Sequence, residues 1–195
     1  MSYNKSIFMI AGPNGSGKTT TAQSILSEYL HIYEFINADE IAKGLAPLHP
    51  ASMNLTASKL MITRLRDLLK ANKNFAFETT GAGKNFVKYL QQAKEDGYII
   101  NLIYLWLSDE DLAVKRVAQR VSQGGHNVPE EIIRKRYKQG LKYVINFYLP
   151  YADNAIILDN SNVDSQKLIA RKIIDKELKI EDEKTWKIIQ GLANV

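Results

Sequence analysis

The segment Gly12-Pro13-Asn14-Gly15-Ser16-Gly17-Lys18-Thr19 constrains this chain more than any other. It follows a continuous apolar run, Ser6-Ile-Phe-Met-Ile-Ala11, whose lack of alternation is that of a strand buried on both faces in a parallel sheet. A helical pattern follows, about Lys18 to Leu30, with Ala22, Ile25, Leu26 and Tyr29 on one face. A glycine-rich turn in that context lets backbone N–H groups converge on an anion at the positive end of a helix. The lysine and the hydroxyl make the anion a triphosphate. Lys18 neutralises the β and γ phosphates, and the Thr19 hydroxyl is a ligand for Mg²⁺. Gly12, Pro13, Asn14, Gly15, Ser16, Gly17, Lys18, Thr19 and Thr20 are therefore the expected contacts of ATP and its magnesium.

Further strands are expected at Glu34–Asn37, Asn74–Glu78, Tyr98–Leu107 and Ala155–Asp159, with Tyr98–Leu107 the most apolar and central. Between them lie helical patterns. The longest runs from about Ala51 to Ala71, after the prolines Pro47 and Pro50, with Leu55, Leu60, Leu65, Leu68 and Leu69 as its apolar positions. Others cover about Lys84 to Glu95 and Asp109 to Ser122, and one opens at Pro129-Glu-Glu, with proline and acids where a helix N-terminus favours them. The tail to Val195 reads as charged and helix-rich. Strands alternating with helices imply an α/β fold, a central, mainly parallel sheet with helices on both faces, in one domain over 1–195.

Composition narrows the partners. The chain has 195 residues and a net charge of +5, from 26 basic and 21 acidic side chains, a modest excess that phosphorylated ligands explain as well as nucleic acid does. No aromatic and basic residues interleave as a platform for single strands, so nucleic acid is not the expected partner. No cysteine is present, which removes disulfides and thiolate metal sites and suits a cytoplasmic protein. No apolar stretch is long enough for a membrane span. His31, His49 and His126 show no metal-ligand spacing, and His126 reads as a loop or hinge residue.

Several side chains are candidates for the second half of a reaction. Asp39 follows the second strand, where ligands collect in parallel sheets, and is suited either to accept a proton from an attacking hydroxyl or to cap a helix. Glu78 closes an apolar strand, an unusual place for an acid with no task. Thr79 and Thr80 are placed to hold a substrate or to cap the next helix. Gly81-Ala-Gly-Lys84 imitates half a phosphate loop but lacks its first glycine and its hydroxyl, and reads as a turn. Arg120 and Arg134 bracket Gly124-Gly125, a layout suited to a helical lid over about 109–148 whose arginines close on a phosphoryl group; solvent-facing arginines are the alternative.

Together these segments resemble the zeta toxin family of P-loop kinases over about Ile7 to Ser161. The resemblance rests on Ala11–Thr20, on Ile36-Asn-Ala-Asp-Glu-Ile41 with His49-Pro50, on Phe77-Glu-Thr-Thr80, on Arg120-Val-Ser-Gln-Gly-Gly-His-Asn-Val-Pro129 and on Ile133-Arg-Lys-Arg-Tyr137. It implies a P-loop NTPase three-layer sandwich with a helical lid, and ATP-dependent phosphorylation of UDP-N-acetylglucosamine. It also implies Asp39 as the base on the acceptor hydroxyl, Glu78 with Thr79 in the acceptor pocket, Arg120 and Arg134 as lid arginines around ATP, and an antitoxin as a protein partner. Gly81 departs from the pattern, standing where an aliphatic residue is expected. The alternatives are a kinase of another acceptor, such as a nucleotide, an antibiotic or an RNA end, and a regulator in which ATP only switches a binding surface.

Overall fold

The computed structural model of the chain describes residues 5–125, 127–162 and 165–194. Strand β1 (Ser6–Ala11) lies between β3 (Phe75–Thr79) and β4 (Ile99–Trp106), parallel to both. With β2 (Phe35–Ile36), β5 (Asn154–Asp159), β6 (Lys167–Lys172) and β7 (Lys179–Ile180), they form a seven-stranded sheet in the order β2-β3-β1-β4-β5-β6-β7. The strands from β2 to β5 are parallel; β6 and β7 are antiparallel additions at one edge. The carboxyl ends of β1 to β5 therefore open on one rim, and the chain passes from β1 to β2 on one side and from β3 across to β4 on the other. Open parallel sheets bind ligands at such a switch point.

Alternation along the buried strands assigns the two faces. Ile7, Met9, Phe75, Phe77, Leu102 and Tyr104 point to a large core covered by α3 (Asn54–Lys70), α4 (Val87–Glu95), the end of α6 (Glu130–Tyr143) and α7 (Glu183–Ala193). Ile10, Ala76, Ile103 and Leu105 face the other way, onto Ala22 of α1 (Lys18–Ile25) and Leu26 beyond it. A third cluster, with Ala113 and Val117 of α5 (Glu110–Ser122) and Ile133 and Tyr137 of α6, packs those two helices together above the rim. Helix α2 (Ala38–Leu45) follows β2 directly.

Three expectations fail, each for a local reason. The first helix stops at Ile25, and Tyr29, assigned to its apolar face, is 73% exposed. In the long helical segment, a 3-10 turn over Pro50–Met53 precedes α3, and the buried face is Ala57, Met61, Leu65, Leu68 and Leu69. Leu55 and Leu60 are exposed, because the leucines alone do not keep the period that Ala57 and Met61 complete. Among the described residues the tail holds one helix, α7; β6 and β7 form an antiparallel extension whose Ile169 and Ala170 are buried against the core. No helix among the described residues is long and apolar enough to cross a membrane.

Candidate functional site

The loop after β1 is shaped by close approach. A β-carbon on Gly12 would lie 2.5 Å from the Leu105 carbonyl oxygen, so only glycine lets the chain turn this near to β4. Gly17 precedes α1 at φ 84°, in left-handed space that glycine enters without strain. The loop is braced from just beyond β5, where the Asn160 side-chain amide donates to the Ser16 carbonyl at 2.6 Å. Arg116 of α5 donates in turn to the carbonyls of Asn160 and Ser161, both at 2.8 Å. Lys18, buried, donates to the Pro13 carbonyl at 2.8 Å. Burial pulls its pKa below the ordinary lysine range; Glu78 and then Asp39 push back, and Arg120 and Arg136 add to the lowering. A cation kept this dry, in a loop where the buried Ser16 hydroxyl has no hydrogen-bond partner among the described residues, suits a phosphate that would satisfy both.

Glu78 stands at the end of β3, beside β1 in register with Ile10. The Thr19 hydroxyl donates to Glu78 Oε2 at 2.7 Å, Asn37 Nδ2 donates to the same oxygen at 2.8 Å, and Lys18 Nζ lies 3.9 Å from Oε1. The carboxylate that resemblance assigns to the acceptor pocket is thus turned toward the phosphate loop. A hydroxyl beside a carboxylate is a hard-oxygen donor pair that fits Mg²⁺, an ion that fills its remaining positions with phosphate and water oxygens. Among the described residues no cluster of three or more His, Cys, Asp or Glu could hold a metal by itself.

Asp39 lies across the same cleft, in the first turn of α2. The cap of that helix is Asn37, whose Oδ1 accepts from the N–H groups of Asp39 and Glu40 at 2.8 and 3.4 Å. The capping role considered for Asp39 is therefore filled by Asn37, and Asp39 itself lines the cavity. Thr79 and Thr80 also line it. The Thr79 hydroxyl accepts from Gly81 N–H at 3.1 Å, holding the turn, and neither threonine caps α4, which begins after Phe86. Lys84 stands 3.7 Å from the centre of the Phe147 ring, outside the cleft.

The cleft, about 600 Å³, runs from Asn14, Gly15 and Lys18 to Asn54, Ser58, Asn85 and Phe86. Its roof is formed by Arg120 of α5 and by Lys135, Arg136 and Gln139 of α6. Arg134 is not among the lining residues. Its guanidinium binds Glu130 at 2.7 Å, Asp111 at 2.7 Å and Glu110 at 3.2 Å, and the bonds to Glu130 and Asp111 raise its pKa further. Gly124, at φ 85°, ends α5, and Gly125 leaves room for Arg120, whose Cγ a β-carbon there would approach to 2.5 Å. His126 lies outside the described residues.

The sequence alone assigns no site role to Asn37, Lys135, Arg136 or Asn160. Asn160 directly follows a strand, a position that could have marked it.

A glycine-rich loop joining a buried strand to a helix, at the switch point of a parallel sheet and facing a charged cleft, defines the P-loop class of nucleotide-binding proteins. Within it, the chain belongs to the AAA domain family AAA_33, whose profile matches residues 7–143. A protein of Haemophilus influenzae, described only as uncharacterized, is 31% identical over 134 residues, covering 69% of this chain and 93% of its own length. A cytidylate kinase of Saccharolobus islandicus is 25% identical over 175 residues, 84% of this chain and 86% of its own. Among solved structures, the AvrRxo1-ORF1:-ORF2 complex with ATP has a TM-score of 0.77 at 17% identity and matches 96% of this chain, which spans 64% of that one. The PezAT toxin-antitoxin system of Streptococcus pneumoniae has a TM-score of 0.63 at 14% identity, over 100% of this chain and 88% of that one. The fold is that of P-loop kinases.

Proposed function

We propose that the protein is a kinase that transfers the γ-phosphoryl group of ATP to a hydroxyl of a small molecule, with UDP-N-acetylglucosamine as the acceptor of first choice. The observation that carries this is that Asp39, Lys18 and Glu78 line one cleft beneath Arg120 and Arg136, with the Thr19 hydroxyl bonded to Glu78 behind it. A regulator that only binds ATP needs no carboxylate facing the phosphate loop across open space.

In this reading the loop from Gly12 to Thr19 binds the triphosphate through backbone N–H groups, and Lys18 leaves the Pro13 carbonyl for a phosphate oxygen. Thr19 and Glu78 would hold Mg²⁺, which when bound would supply charge neutralisation at the phosphates. Asp39 accepts the hydroxyl proton of the acceptor as its oxygen attacks the γ phosphorus and the bond to the β-phosphate oxygen breaks, leaving ADP. Arg120 and Arg136 take the role first assigned to Arg120 and Arg134, stabilising charge on the transferring group. The Asn54, Ser58, Asn85 and Gln139 side chains offer uncharged hydrogen-bonding groups to an acceptor, with Lys135 for an anionic part of it.

The fold shared with the PezAT system supports an antitoxin as a partner. A nucleotide acceptor is the second reading, favoured by the likeness to cytidylate kinase. Radiolabelled ATP with a panel of UDP-sugars, nucleoside monophosphates and RNA ends tests these together. Label appearing on UDP-N-acetylglucosamine is expected; label on CMP alone would replace the first reading by the second, and no transfer to any acceptor would remove both.

A further inference from the structure

Resting on that kinase reading, we infer that Asn37 is a positioning residue that sets the metal-side acid Glu78 and the acceptor-side base Asp39 in fixed relation through one amide. The side chain is 6% exposed and sits where β2 passes into α2, between the two halves of the cleft. Its Oδ1 accepts from Asp39 N–H at 2.8 Å and Glu40 N–H at 3.4 Å. Its Nδ2 donates to Glu78 Oε2 at 2.8 Å and reaches Thr19 Oγ1 at 3.5 Å. Turned the other way, the amide would oppose N–H to N–H at α2 and oxygen to carboxylate at Glu78, so these partners determine its orientation.

Capping alone does not call for asparagine. Serine, threonine and aspartate cap as well, and none of them offers an N–H donor on the far side. The donor is what reaches the carboxylate, and a hydrogen bond to an ionised acid is among the stronger kinds. With the Thr19 hydroxyl on one side and the Asn37 amide on the other, Glu78 Oε2 is held in place. The same side chain ties down the first turn of α2, on which Asp39 is carried. A shift of one carboxylate is thereby passed to the other.

The test compares Asn37→Ser, which keeps a cap and loses the reach to Glu78, with Asn37→Ala, which loses both. ATP affinity is measured by calorimetry with and without Mg²⁺, beside the melting temperature. The expected result is that Asn37→Ser melts near the wild type while its magnesium-dependent gain in ATP affinity falls about tenfold or more, as when an outer partner of a metal ligand is removed. In a Glu78→Gln background the same substitution is expected to cost no further gain. Full recovery of the gain in Asn37→Ser would reduce Asn37 to a helix cap, and an equal loss in both backgrounds would break its link to Glu78; either result overturns the proposal. Wild-type ATP affinity indifferent to Mg²⁺ would overturn the metal reading itself and this inference with it.

Discussion

Gly140 of α6 lies against the carbonyl of Thr80, so near that a β-carbon at position 140 would come within 2.5 Å of that oxygen. The turn after β3 is seated on the residues just past the end of α6 too. Gly81 adopts φ 70° with Val144 Cγ2 where its β-carbon would be, at 2.6 Å, and the Tyr148 hydroxyl donates to the Gly83 carbonyl. The glycine that departs from the zeta toxin pattern is thus required by the packing of this turn. Gly140→Ala is expected to destabilise by about 1–3 kcal/mol, since backbone on both sides cannot yield easily. Gly191→Ala, in α7 with nothing within 4 Å of an added β-carbon, is the control, expected to be stabilising by about 0.5–1 kcal/mol. Thermal melts of the two variants check the contrast.

Lys18→Ala is expected to abolish phosphoryl transfer, because the variant loses the one cation embedded in the loop. Transfer from labelled ATP at the wild-type rate would exclude the loop as the triphosphate site.

Asp39→Asn keeps the shape of the side chain and removes its basicity. ATP affinity should be unchanged while transfer falls by about 10²–10⁴-fold, the usual contribution of a positioned base. Calorimetric ATP binding and a transfer assay on the same sample separate this from a structural role, in which both would fall.

The two arginines of α6 should differ. Arg136→Ala is expected to lower kcat on the order of 10²–10³-fold, whereas Arg134→Ala should leave kcat near the wild type and lower the melting temperature slightly, as exposed ion pairs contribute little. The reverse order would restore Arg134 to the site.

Acid should act through the helix caps. The Leu112 N–H, followed by the Ser108 hydroxyl, holds the Asp109 carboxyl below its ordinary 3.8. A pKa lowered on folding means that the stabilisation is complete above the unfolded value and is lost as pH falls through the folded one. Asp182, capping α7, is shifted the same way by the Thr185 N–H. Asp109→Asn retains the cap without the ionisation, so its melting temperature should fall less than that of the wild type between pH 5 and pH 3.

Much of this architecture is legible in the chain itself. The runs of β1, β3, β4 and β5 are apolar and bounded by glycine or polar residues, and the phosphate loop has a spacing that few other structures require. Parts that depend on partners far along the chain are less so. Lys167–Lys172 carries basic residues at both ends and becomes a strand because β5 offers it an edge. Arg134 and Arg136 are two positions apart, which on a helix is a rotation of about 200°; sequence marks α6 as basic but leaves its orientation to the packing of Ile133 and Tyr137. Asn37 reads as a common strand-to-helix residue, and its second bond, to Glu78, exists only once β2 and β3 pair.

Arg134, excluded from the cleft, joins acids on both roof helices: Glu110 and Asp111 on α5 and Glu130 on α6. The apolar cluster beneath these surface pairs is what makes α5 and α6 one plate, so a displacement of either carries the other. Arg120 rides on the first helix and Arg136 on the second. In the proposed kinase, any displacement of this plate would carry both charges toward or away from a phosphate in the cleft together.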